Sequence, residues 1–356
     1  MAVERSAYPA AASAPPPLVV LSPFRHAAPT EAEPFRVSVV IPTRNRSTLM
    51  AEAVRSVQAL AGPDLDLEIL VVDNGSTDDT PQIARALGAR YLLATKPGAA
   101  ATRNVGIRAA TGEYLAFLDD DDVWLPGHLR PELALLRDRP EFDACIGQIV
   151  PVDETGRLLA APYPVSLPAD GNVYQAFLGD FPQIGALVVR TSVRETVGYQ
   201  DERHVWGEDW DWFLRIALAH RVGHVAEPAI HFRARPVATP SEDETHWIRV
   251  GTTRRAYWRN VWRGRHRWIS PLWIVRRAIQ VDGIFAGYFL KSAEVHAAAG
   301  NRPGAWRSLQ RALRISPVHV VWAVVREPSL FRWLVPMSGA GQTQPATGEP
   351  QAGVPQ

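Results

Sequence analysis

Residues 114–124 read YLAFLDDDDVW. An apolar run over 114–118 stops at four consecutive carboxylates, Asp119, Asp120, Asp121 and Asp122, and resumes as Val123 and Trp124. A short apolar run bounded by polar punctuation predicts a buried strand, and the carboxyl edge of such strands is where open α/β sheets place ligands. Two carboxylates 4 Å apart near a protein surface repel by about 4 kcal/mol before screening, so four in a row call for a cation. Oxygen-only ligands suit a hard ion, Mg²⁺ or Mn²⁺, which commonly arrives with substrate phosphates. The competing reading is an acidic turn ahead of a helix beginning near Pro126. The run by itself leaves both open.

Outward from this stretch the chain alternates strand and helix. Residues 36–41, RVSVVI, form a β-branched run ended by Pro42, as in a parallel strand buried on both faces. A loop over 43–46 follows, and Ser47 is a candidate cap for a helix carrying Leu49, Ala53, Val54, Val57 and Leu60 at helical spacing. Residues 67–72, LEILVV, are a second buried strand that stops at Asp73, and the turn 74–78 leads into a helix over about 80–87. A short third strand is expected at 91–94 and a helix at 100–110, ended by Gly112 before the strand at Tyr114. This rhythm predicts a parallel sheet with right-handed crossovers.

The 356 residues are 46% hydrophobic and 21% charged, as in a folded protein. Lys+Arg 38 against Asp+Glu 37 gives no electrostatic case for a nucleic-acid partner. A single cysteine, Cys145, excludes an intramolecular disulfide framework and a cysteine-based zinc site, and fits a reducing, cytoplasmic compartment. The N-terminus lacks the pattern of a signal peptide. Arg276, Arg277, Asp282 and Lys291 break up the best candidate for a bilayer span. Four divisions are expected: a disordered Ala/Pro-rich segment at 1–34, a catalytic domain at 35–240, a helical extension at 241–336 and a disordered tail at 337–356. Within the extension, 294–315 reads as an antiparallel helix pair, faintly like one tetratricopeptide unit, that serves as a lid or docking hairpin. Residues 254–277, RRAYWRNVWRGRHRWISPLWIVRR, alternate Trp and Arg at near-helical spacing. That suits peripheral contact with an anionic membrane at its inner face, or a helix that packs its Trp face on the catalytic domain.

Four segments carry a resemblance. VSVVIPTRNR (37–46), LEILVVDNGSTDDT (67–80), KPGAAATRNVGIRAATGEYLAFLDDDD (96–122) and WGEDWDWFLRIALAHR (206–221) resemble the successive motifs of family 2 glycosyltransferases. The likeness covers about 35–235, with motifs in the expected order. It implies a GT-A fold, an α/β Rossmann-like and mostly parallel sheet flanked by helices. It also implies metal-dependent, inverting transfer from a nucleotide-activated sugar of the UDP type to a hydroxyl of a glycan, lipid-linked precursor or small molecule, as in polysaccharide biosynthesis.

By the same resemblance Asp73 binds the base, and Pro42, Thr43 and Arg44 line the nucleotide pocket. Arg103 and Asn104 face the nucleotide or brace the aspartate loop. The D-x-D pattern falls on Asp119 and Asp121: Asp119 approaches the ribose or sugar, Asp121 holds the Mg²⁺ or Mn²⁺ that bridges the phosphates, and Asp122 lies near the sugar. Asp209 is the general base and Glu208 supports it or binds acceptor. Blander readings stand beside these: Asp73 as a turn former, Asp209 and Asp211 as acids that suit a helix N-terminus, and Trp206, Trp210 and Trp212 as core rather than sugar platforms. The chain departs from the family at 231–235, HFRAR, where the Y-R-x-H pattern of relatives puts Arg235 in the histidine position. His231, Arg233 and Arg235 are therefore all candidates to meet the diphosphate. Residues 181–189, FPQIGALVV, resemble the acceptor cradle, and nothing in 151–180 names an acceptor. Two rivals remain: a non-catalytic sugar-nucleotide or glycan-binding protein on the same scaffold, and a nucleotidylyltransferase. The latter calls for a glycine-rich phosphate loop after the first strand, and 42–45, PTRN, contains no glycine.

Overall fold

The computed structural model describes residues 33–179, 182–234, 243–264 and 269–326, with side chains from Trp247 onward in the third stretch. The expectations for 1–32, for the tail at 337–356 and for Arg235 lie outside these residues.

Three apolar runs become the centre of an eight-stranded sheet. They are β1 (Phe35–Thr43), β2 (Leu65–Asp73) and β4 (Tyr114–Phe117), and β3 (Arg90–Leu93) completes a parallel half ordered β3-β2-β1-β4. Helices α1 (Ser47–Gln58), α2 (Thr80–Ala86) and α3 (Ala99–Ala109) make the crossovers. Val39, Val40, Ile41, Leu70, Val71, Val72 and Phe117 are fully buried, as strands covered on both faces require. Gly106 lets α3 lie directly on β1, since a Cβ there would come within 2.4 Å of Val40 Cγ1.

The second half is mixed. Strand β7 (Leu187–Arg190) runs antiparallel to β4, β6 (Ala144–Val152) antiparallel to β7, and β8 (Val222–Arg233) parallel to β6. Val123 and Trp124 form β5, which pairs antiparallel with β8 through Val123↔His231 and Trp124↔Ile230. The four aspartates are therefore the connection between β4 and β5, tied to the sheet at both ends. The helix expected near Pro126 starts later, as α4 (Arg130–Asp138). Helices α5 (Tyr174–Gly179), α6 (Val193–Val197) and α7 (Glu208–Ala219) flank this half, and a 3₁₀ turn, Ile184–Ala186, precedes β7.

The helical part comprises α8 (Asp243–Arg263), α9 (Pro271–Ala298), α10 (Arg302–Ile315) and α11 (Pro317–Arg326). The antiparallel pair read at 294–315 is the end of α9 with α10, and Asn301 caps α10 by accepting from the Gly304 N–H at 3.0 Å. The Trp/Arg stretch 254–277 is divided between α8 and the start of α9. Among the described residues no helix is long and apolar enough to cross a membrane.

Candidate active site

The register of the parallel half decides which loops meet. Thr43 pairs with Asp73 at the carboxyl ends of β1 and β2, and Val40 pairs with Phe117, so the loops after β1, β2 and β4 leave the sheet at one edge. The first two knit together. Asn45, with φ 53°, accepts from the Thr77 N–H at 2.7 Å, its own N–H donates to Ser76 Oγ at 2.8 Å, and Asp78 accepts from the Ser47 N–H at 3.1 Å. The cap of α1 thus comes across the loop from Asp78. Ser47, the expected cap, is the first helical residue, and no side chain of the α1 N-cap residue, Arg46, bonds the helix end.

Asp73 is buried, and both its oxygens are engaged inside the chain. Oδ1 accepts from the Ser76 N–H and Ser76 Oγ at 2.8 and 2.6 Å, and Oδ2 accepts from the Tyr91 hydroxyl at 2.8 Å. Burial, then this carboxylate, push the Tyr91 phenol up to about 12. The turn-forming role is realised, and each of the two oxygens is bonded within the chain. Of the other nucleotide-pocket candidates, Pro42 is half-buried and Arg44 is exposed, bonding no described residue. Thr43 is buried and turns inward, its hydroxyl donating to Asp120 Oδ2 at 2.8 Å.

In the aspartate loop each carboxylate has its own environment. Arg46 reaches Asp120 at 2.9 Å and Asp121 at 3.4 Å. Arg103 reaches Asp119 at 2.6 Å. Asp122, buried, accepts from the backbone N–H of Arg233 at 2.9 Å. Burial, then the charges of Asp119 and Asp121, hold the Asp122 carboxyl well above its ordinary value, and burial also raises Asp120 against the pull of Arg46. Repulsion of this kind is what a bound cation relieves. Among the described residues no three His, Cys, Asp or Glu side chains converge as a metal cage. The donor set fits instead a hard cation held by one or two carboxylates and completed by phosphate and water oxygens.

Arg103 links this loop to the far half of the molecule. Its guanidinium is buried, donating from one nitrogen to Asp119 and from another to Glu208 at 2.8 Å, and the two carboxylates outweigh burial and raise its pKa. Glu208 opens α7, and Gly207 just before it holds the left-handed conformation, φ 73°, at the N-cap. Asp209 follows, accepting from the Trp210 N–H at 2.7 Å. Burial first, then Glu208 and Asp119, raise its carboxyl to about 7, against the pull of Arg103. The neighbouring Asn104 braces the approach to α7, bonding the Gln200 carbonyl, the Gln200 N–H and Glu202 at 2.9, 2.9 and 3.1 Å. It does not touch the aspartate loop.

One reading changes. Asp211, taken as an acid suiting a helix terminus, is fully buried: Oδ2 meets Arg215 at 3.0 Å, and Oδ1 meets Asn260 at 2.8 Å, Arg263 at 3.0 Å and Arg259 at 3.4 Å. It joins α7 to α8. Trp210 and Trp212 are core, Trp210 stacking on Tyr257 of α8 at 5.9 Å, and only Trp206 is exposed, under Arg249 at 4.3 Å. Of the diphosphate candidates, Arg233 turns to Glu52 at 2.7 Å, while His231 is half-buried on β8 opposite Val123. The guanidinium that pairs with Asp120 and Asp121 is that of Arg46, not singled out from the sequence although it closes the first quoted motif.

A family model for glycosyl transferase family 2 matches residues 38–183. The chain carries a family 2 glycosyltransferase domain. An uncharacterized glycosyltransferase of Rickettsia felis is 29% identical over 194 residues, 53% of this chain and 31% of the relative. The GalNAc(5)-diNAcBac-PP-undecaprenol beta-1,3-glucosyltransferase of Campylobacter jejuni is 39% identical over 102 residues, 26% of this chain and 32% of the relative. These matches span about a third of the relatives' length. The crystal structure of S. aureus TarS 1-349 superposes with a TM-score of 0.50 at 16% identity, covering 78% of this chain and 90% of that one. The α/β architecture expected for the glycosyltransferase domain is thus the fold observed.

Proposed function

We propose that the chain is a metal-dependent, inverting glycosyltransferase that moves a sugar from a nucleotide-diphosphate donor of the UDP type to a hydroxyl of a glycan, lipid-linked or small-molecule acceptor. One observation carries the reading: the Arg103 guanidinium spans Asp119 and Glu208, so the donor-side aspartate loop and the helix end bearing Asp209 belong to one site.

The acceptor oxygen attacks the anomeric carbon, the bond from that carbon to the diphosphate oxygen breaks, and the hydroxyl proton passes to Asp209. A carboxyl raised to about 7 is matched to that transfer near neutral pH. One base on the acceptor side is the requirement of a single displacement, hence inversion. Asp119 and Asp121 would hold the cation, and a bound Mg²⁺ or Mn²⁺ supplies Lewis-acid stabilisation of the charge on the departing diphosphate. Arg46, already on Asp120 and Asp121, stands where the phosphates would displace it from carboxylate to phosphate. Glu208, held by Arg103, lies beside Asp209 and adds to the raising of its carboxyl. The Campylobacter jejuni relative, named for an undecaprenol diphosphate-linked acceptor, supports retaining lipid-linked hydroxyls among the acceptors. We place the protein in the cytoplasm, peripheral at the inner face of the membrane.

The test is a panel of nucleoside diphosphates and nucleotide sugars scored for thermal stabilisation with Mn²⁺, with Mg²⁺ and with chelator. Binding stabilises by RT ln(1 + [L]/Kd). UDP or a UDP-sugar should stabilise the chain only with metal. Stabilisation by no nucleotide diphosphate overturns the reading.

A further inference from the structure

The described arginines of 254–277 divide into two sets. Arg254 pairs with Asp282 at 3.1 Å, Arg259 with Asp201 and Asp211 at 3.1 and 3.4 Å, and Arg263 with Asp211 at 3.0 Å. Arg277 bonds Gln280 at 2.8 Å and lies over the Trp273 ring. Arg259 and Arg263 hold α8 to the catalytic domain, Arg254 ties α8 to α9, and Arg277 is engaged within α9. Arg255 and Arg276 are exposed and ion-pair with no described residue.

The outward set has company. On α8, Arg255, Trp258 and Trp262 follow one another at helical spacing, Trp262 being 68% exposed. On α9, Leu272, Val275, Arg276 and Ile279 do the same, Leu272 being 77% exposed. The opposite face of α8 is sealed by Ala256, Tyr257 and Asn260. Between the two helices lies an apolar cavity of about 370 Å³, lined by Leu178, Trp258, Val261, Trp262, Ile269 and Ile274. Exposed Trp and Leu flanked by arginine on the outer faces of two successive helices is the pattern of an interfacial element, with rings at headgroup level and guanidinium groups on lipid phosphate. The electrostatics of the whole region agree. Residues 247–326 carry fifteen Arg or Lys against two carboxylates, in a chain whose formal charge is only +1.

We infer that the outer faces of α8 and α9, through Arg255, Trp258, Trp262, Leu272, Val275 and Arg276, dock on an anionic lipid bilayer surface. The inference deepens the peripheral placement proposed above, and its test uses neither donor nor acceptor, so its failure leaves the transfer reading untouched. The full chain is floated with phosphatidylcholine vesicles and with vesicles that also contain phosphatidylglycerol, at low and high salt. It should float with the anionic vesicles at low salt and be released by salt. Arg255→Gln with Arg276→Gln, both on the surface, should lower partitioning roughly thirtyfold, about fivefold per charge, with metal-dependent UDP binding unchanged. Trp262→Ser with Leu272→Ser should lower it as well. Absence of flotation at low salt overturns the inference, as does an arginine variant that floats like the parent. So does light scattering that finds a dimer dissolved by Trp262→Ser, since the face then belongs to a second copy.

Discussion

Replacing Asp211 with Asn probes how the helical part is joined to the catalytic helix. The carboxylate is fully buried, bonded to Arg215, Asn260 and Arg263 within 3.0 Å, with Arg259 at 3.4 Å. The amide keeps the shape but removes the charge and turns an N–H₂ toward at least one of these donors. Arg259 retains Asp201, so the counter-ion loss falls on Arg215 and Arg263. Removing one member of a buried ion pair costs about 3–5 kcal/mol. Both side chains keep some contact with water, 16% and 36%, which puts the expected loss near the lower end, about 3 kcal/mol. For a chain of this size that is a fall in melting temperature of roughly 4 °C. Burial alone would raise the Asp211 carboxyl, but Arg215, the Asn260 hydrogen bond, Arg263 and Arg259 hold it below 3.8. A depressed carboxyl stabilises above its unfolded value and loses that contribution as pH falls through the folded one. The gap between parent and variant should therefore be full at neutral pH and shrink below about pH 4. Guanidinium unfolding followed by circular dichroism measures it. A variant within about 0.5 kcal/mol of the parent at neutral pH refutes the assignment of Asp211 as the joint.

Four further outcomes are expected. Because the Asp209 carboxyl is raised to about 7 and acts deprotonated, kcat/KM should rise with pH up to about that value and then level; a profile flat from pH 5 to 8 contradicts it. Asp121→Asn should weaken UDP binding in Mn²⁺ at unchanged stability, and calorimetry giving equal affinity with metal and with chelator removes the metal assignment. Since burial, then the charges of Asp119 and Asp121, raise the Asp122 carboxyl, a cation bound beside it should favour its ionised form, so metal-dependent UDP binding should weaken as pH falls; calorimetry across pH measures this. Gly106→Ala puts a Cβ against Val40 and should cost about 1–3 kcal/mol by overpacking, read in the same unfolding experiment.

Much of the fold was legible because β1, β2 and β4 are buried on both faces, where an apolar β-branched run has no other reading. Their ends were legible too, since Asp73 and Asp119 stop those runs, and the parallel register carries both to one edge. What escaped depends on pairings distant in sequence. Nothing local shows that Val123 and Trp124 pair with β8, or that the cap of α1 is Asp78 rather than Ser47. Asp211 looks like any acid in a first helical turn until α8, about fifty residues on, supplies Asn260 and Arg263. Arg46 and Arg103 were both in quoted motifs, but their carboxylates lie 74 and 105 residues away in the cases of Asp120 and Glu208. Composition likewise showed a segment rich in Trp and Arg, while only the packing of α8 and α9 separates the arginines that clamp the domain from those left outside.

The central claim is that Asp209 takes the acceptor's proton while the donor is held elsewhere, and it is tested most directly by Asp209→Asn. The amide keeps the shape and loses the proton acceptor, and a positioned base contributes typically 10²- to 10⁴-fold. UDP affinity in Mn²⁺, by calorimetry, should stay within about twofold of the parent. Transfer from the best donor of the nucleotide-sugar panel should fall at least about a hundredfold, an effect on kcat of roughly 3 kcal/mol. Transfer at near-parental rate, or UDP affinity lost together with transfer, contradicts the account.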